Sequence, residues 1–109
     1  MKNIVVQKFG GTSLGSIERI KAVAKTIKKT SLNEFPIIVV SAMSGETDKL
    51  INLAKDISDA PAERELDALL STGEKVSAAL LAMTLQSLGL KAKSFSAAQI
   101  SMRTTSKQS

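Results

Sequence analysis

Cysteine and histidine are both absent from the 109 residues, and tryptophan and tyrosine are missing as well. Without cysteine there is no disulfide framework and no thiolate metal site, and without histidine the commonest general base and metal ligand is gone. Serine–histidine–aspartate hydrolysis is therefore excluded, and no residue is assigned to a metal. Only three aromatic side chains occur, Phe9, Phe35 and Phe95. A core must be built from Ile, Leu, Val, Ala and Met, and base stacking on aromatic rings is nearly out of reach. Long apolar runs are also lacking, because Met1-Lys2-Asn3 leads into Ile4-Val5-Val6 and then Gln7 and Lys8. That is too short for a signal segment or a membrane span, so a cytoplasmic location with no membrane partner is expected.

What is present suits one modest domain, with 43% hydrophobic and 23% charged residues. The formal charge of +5 is spread along the chain rather than gathered in one block, so no nucleic-acid partner is expected. Its densest group is Arg19, Lys21, Lys25, Lys28 and Lys29, which alternates with apolar residues at helical spacing and reads as a solvated helix face. Such a field would still attract phosphates.

Residues 4–9 form a β-branched run suited to a strand buried on both faces, and Ile37-Ile38-Val39-Val40 is a second continuous apolar run. Between them Ser16 can cap a helix whose apolar positions Ile17, Ile20, Val23, Ala24 and Ile27 recur at three- and four-residue steps up to about Thr30. Residues 41–48 read as a turn, followed by a helix carrying Leu50, Leu53, Ala54 and Ile57. Residues 63–70 and 74–88 read as two helices interrupted by Ser71-Thr72-Gly73, the second with Val76, Ala79, Leu80, Met83 and Ser87 on one stripe and Gly89 at its end. Residues 91–95 are a third, more polar strand candidate, and residues 101–109 read as a polar tail without periodicity. Alternation of strands and helices predicts an α/β layer with a mainly parallel sheet, whose ligands bind beyond the carboxyl ends of the strands.

Both small-residue turns fall at that end. In Lys8-Phe9-Gly10-Gly11-Thr12-Ser13, the paired glycines leave backbone N–H groups open to an anion and permit positive φ, while the lysine adds a full charge. The arrangement is neither a Walker A loop, where the lysine follows the glycines, nor the G-x-G-x-x-G dinucleotide fingerprint.

Three blocks occur together: Lys8 to Ser13, then Val39-Val40-Ser41-Ala42-Met43-Ser44-Gly45 with Thr47-Asp48, then Arg64-Glu65-Leu66-Asp67 with Ser71-Thr72-Gly73-Glu74. In this order and spacing they resemble the aspartokinase family, over nearly all of the chain to about Gln99. The resemblance implies a three-layer amino-acid-kinase fold of which residues 1–109 are the N-terminal portion, with no ACT regulatory domain. It implies transfer of the γ-phosphoryl group of ATP, carrying its Mg2+, to the side-chain carboxylate of L-aspartate, giving 4-phospho-L-aspartate for lysine, threonine and methionine biosynthesis. The family's later elements are not matched: a second phosphate-neutralising lysine, the arginine and aspartate that complete the aspartate site, and the adenine pocket. An incomplete site, inactive by itself, is the resulting expectation.

By the same resemblance Lys8 is the catalytic contact to the transferring phosphate, with Phe9, Gly10, Gly11 and Ser41 holding nucleotide phosphate and Thr47 and Glu74 holding aspartate. Each has a plain structural alternative. Lys8 can be a solvated strand-end lysine, Ser41 and Thr47 can be helix N-caps, and Glu74 can serve only the dipole of a helix first turn, worth about 0.3–1 kcal/mol. Arg64 and Asp67 read as helix surface or interdomain pairing, with Arg64 also a candidate to position the substrate loop, and Met43, Met83 and Met102 read as packing residues. Alanines at 97 and 98 depart from glycines common in the family, so a different backbone path is expected there. A sheet cut after three strands exposes an edge and an apolar face, which points to a homo-oligomer. The alternatives are a non-catalytic binding or regulatory module of the same fold, or another member of the superfamily such as a glutamate or uridylate kinase.

Overall fold

The computed structural model describes residues 2–95 and 99–102. Along the chain run β1 (Asn3–Phe9), a 3-10 turn (Gly11–Leu14), α1 (Ile17–Thr30), β2 (Glu34–Val40), α2 (Glu46–Ile57), α3 (Glu63–Ser87), β3 (Ala92–Phe95) and β4 (Gln99–Met102). The strands form one sheet in the order β1-β2-β4-β3. β1 and β2 are parallel, with Phe9 opposite Val40, whereas β4 is antiparallel to both β2 and β3. Three of the four strands thus share a direction, and both glycine-bearing turns leave the sheet at its common carboxyl end, as expected. A fourth strand was not expected, since Ser101 and Met102 read as tail. Its residues mix polar and apolar types too briefly to show a period, and pairing on both sides supplies what local pattern does not. The departure expected at Ala97-Ala98 lies outside the described residues.

α1 begins where the sequence places it. Ser16 is extended at the N-cap and its Oγ accepts from the Arg19 N–H at 3.2 Å. Ile20, Val23, Ala24 and Ile27 are buried, while Arg19, Lys21, Lys25, Lys28 and Lys29 are all exposed. Replacing Ser16 by alanine removes an acceptor that one orphan N–H requires, with an expected loss of about 1 kcal/mol in urea unfolding.

α3 is a single helix of 25 residues, not two. Serine, threonine and glycine disfavour helix interiors, but here their groups are satisfied: Ser71 Oγ donates to the Ala68 carbonyl at 2.8 Å and Thr72 Oγ1 to Leu69 at 2.6 Å. Gly73 meets the loop after β2 at a distance no side chain would allow, so packing selects it against propensity. The buried stripe also differs from the expected one. Gly73, Ser77, Ala78, Leu81, Ala82 and Leu85 face inward, whereas Val76 and Met83 are about half exposed. From Val76 to Leu85 the helix is apolar nearly all round, and the small residues on the inner side let it approach α1 and the sheet. α3 ends at Gly89 with φ of 88°, where Leu90 N–H reaches the Leu85 carbonyl and Gly89 N–H that of Gln86. These are the paired bonds of a Schellman ending.

α1 and α3 cover one face of the sheet. Leu14, Ile20, Ile27, Ile38, Leu81 and Leu85 are essentially inaccessible, each worth roughly 1.5–3 kcal/mol of burial. Phe9, Phe35 and Met43 pack at the margin of this aliphatic core. The other face is open: Ile4 and Val6 are 66% and 60% exposed. β1 therefore has one half-buried face and one open face rather than two buried ones. A continuous apolar run marks a strand without saying whether both its sides are covered.

Candidate functional site

β1 ends in Lys8 and Phe9, and β2 hands over to Ser41 beside them: Ser41 N–H donates to the Phe9 carbonyl at 3.2 Å. Ser41 Oγ lies 3.5 Å from the same carbonyl, so Ser41 ties the two strand ends and caps no helix. The cap of α2 is Gly45, with φ of 86°. Thr47 and Asp48 belong to the first turn of α2 rather than to the preceding turn, so the capping alternative for Thr47 does not apply. Glu74 lies eleven residues into α3, far from the first-turn position where dipole pairing would account for it.

Two clefts open at the carboxyl end of the strands. One, of about 390 Å3, is lined by Lys8, Phe9, Gly10, Val39, Val40, Ser41 and Glu74. Its neighbour, of about 320 Å3, is lined by Ser41, Ala42, Thr47, Asp67, Leu70, Ser71 and Glu74. Ser41 and Glu74 belong to both, so the clefts are two halves of one recess. A cation and open backbone mark the first half, hydroxyls and carboxylates the second. Among the described residues no group of three or more acidic or histidine side chains is placed to hold a metal ion.

The two glycines of the first turn differ. A Cβ on Gly10 would meet nothing within 4 Å, so its backbone is open. On Gly11 it would stand 3.0 Å from the Ala42 carbonyl oxygen, and Gly11 lines neither cleft. Neither glycine uses positive φ, which among the described glycines occurs at Gly45 and Gly89. Six of the seven expected site residues therefore line the recess, and Gly11 packs against Ala42, which also lines it.

Asp67, Leu70 and Ser71 line the recess without having been expected there; Arg64 does not. The missing signal was helical phase: with the helix unbroken, positions 67, 70, 71 and 74 fall on one face. Reading a break at residues 71–73 concealed it.

The profile of the amino acid kinase family matches residues 3–108. The chain belongs to this family. Its likeness to the amino acid kinases thus continues beyond Gln99, where it was expected to fade. An aspartate kinase of Pseudomonas putida is 52% identical over 104 residues, which are 94% of this chain and 25% of that protein. An aspartokinase of Geobacillus stearothermophilus is 55% identical over 102 residues, 93% of this chain and 25% of the relative. The crystal structure of aspartate kinase from Synechocystis superposes with a TM-score of 0.83 at 53% identity, over 84% of this chain and 16% of that one. The chain spans about a quarter of the length of these curated amino acid kinases. Among the described residues no helix is long and apolar enough to cross a membrane.

Proposed function

We propose that this chain forms the phosphate-contacting and aspartate-holding wall of an aspartate kinase. The reaction moves the γ-phosphoryl group of ATP to the side-chain carboxylate of L-aspartate, giving 4-phospho-L-aspartate and ADP, in the cytoplasm and on the route to lysine, threonine and methionine. The observation that carries the reading is the shared recess: Lys8 from β1, Ser41 after β2, Thr47 from α2 and Glu74 from α3 converge there from four separate elements.

Phosphoryl transfer asks little covalent work of a protein and much positioning and charge. Lys8 meets the negative charge that develops on the transferring group, and the open backbone at Gly10 adds donors beside it. Thr47, in the first turn of α2, offers a hydroxyl near N–H groups that favour a carboxylate. Glu74 faces the substrate's ammonium. Magnesium arrives on the nucleotide. Self-association belongs to the same reading, because the open apolar face of the sheet at Ile4 and Val6 gains from being covered.

Titration calorimetry on the chain tests the binding half of the proposal. Saturable heat with L-aspartate is expected, and no turnover of ATP by the isolated chain. A folded chain that binds neither L-aspartate nor Mg-ATP would overturn the reading in favour of a protein-binding module of the same fold.

A further inference from the structure

Asp67, Ser71 and Glu74 succeed one another on α3 at four- and three-residue steps and line the same cleft with Ser41 and Thr47. That lining contains two carboxylates and neither lysine nor arginine. The adjoining cleft carries Lys8. A ligand lying across both is therefore amphoteric, its cationic group toward Asp67 and Glu74 and an acidic group toward Lys8. Glu74 borders both halves and feels both ends of such a ligand, whereas Asp67 borders only the half without a cation.

We propose that Asp67 is a specificity-determining residue whose carboxylate, about two turns from Glu74 along α3 and lining the same cleft, selects a small dicarboxylic acid bearing an ammonium group over one without it. The inference rests on the amino-acid reading of the recess and adds a second carboxylate to it. Asp67 is exposed, so water and salt screen its charge and the selection is modest. Leu70 and Ser71 line the same cleft without contributing charge.

The test compares L-aspartate with succinate, which differs by the missing ammonium, in calorimetric titrations of the full chain at low ionic strength. In Asp67→Asn the affinity for L-aspartate is expected to fall about two- to fivefold while that for succinate stays equal or rises, so their ratio narrows. Glu63→Gln, an equal change of charge one turn earlier and outside the recess, is expected to leave the ratio unchanged. A structural role for Asp67 would weaken both ligands alike and overturn the proposal, as would an unchanged ratio. Loss of L-aspartate binding in the parent chain would overturn the functional reading as well, whereas normal parent binding with an unaltered Asp67→Asn ratio defeats this inference alone.

Discussion

Replacing Lys8 by alanine is expected to lower phosphoryl transfer by about 10²–10³ in kcat, with little change in the folded chain. The two halves of that expectation have separate grounds. Lys8 is exposed near the end of β1 on the face that the helices leave uncovered, in line with Ile4 and Val6, so truncating it removes no buried contact. Yet it is the cation of a recess whose other charged side chains are Asp67 and Glu74. In the proposed reaction, charge on the transferring group meets Lys8 there. Arginine at this position keeps the charge but presents a planar fork in place of a compact ammonium, and is expected to restore only part of the rate. A coupled ADP-release assay on the active kinase, set beside an unfolding curve for each variant, separates chemistry from stability. Undiminished turnover in Lys8→Ala would remove Lys8 from the mechanism.

What could be read from the chain divides along a physical line. Local signals held: the Ser16 cap, the three- and four-residue spacing of Ile20, Val23, Ala24 and Ile27, and the glycine ending at Gly89 all express backbone chemistry within one helical turn. Signals that depend on partners did not. Whether β1 is covered on both faces is decided by what packs on the sheet, and the pairing that makes Gln99–Met102 a strand comes from β2 and β3. Along α3 the apolar residues run nearly round the helix, and tertiary contact chose the stripe of small ones.

The recess follows the same division. Lys8, Ser41, Thr47 and Glu74 could be named because they sit in short blocks whose spacing resembles a known family, and the fold brings them together. Asp67 sits in such a block too, but its place in the recess follows from an unbroken α3, whose Gly73 packs against the loop after β2. A helix break expected at Ser71-Thr72-Gly73 thus hid a residue that lines the recess.

That contact supports the second large effect. Gly73→Val is expected to destabilise the chain by about 3 kcal/mol, a midpoint lower by roughly 1–3 M urea, and to weaken L-aspartate binding at the same time. Propensity alone argues the opposite, since glycine in a helix interior costs about 0.5–1 kcal/mol relative to alanine. Space decides the sign. A Cβ on Gly73 would stand 2.9 Å from the Ala42 Cβ and 3.7 Å from Leu50 Cδ1. Ala42 has little room to retreat, because its backbone is also packed against Gly11, where a Cβ would lie 3.0 Å from the Ala42 carbonyl oxygen. The loop after β2 is therefore clasped between two glycines, and any side chain at position 73 must push α3 outward. Glu74 and Asp67 ride on α3 while Ser41 precedes the clasped loop and Thr47 follows it, so the same displacement that lowers stability widens the recess between its two walls. Gly73→Ala, in which the propensity gain offsets part of the clash, should fall between parent and Val in both measurements. A valine variant as stable as the parent would mean that α3 and the loop are not in close contact, and the geometry of the recess would have to be redrawn with them apart.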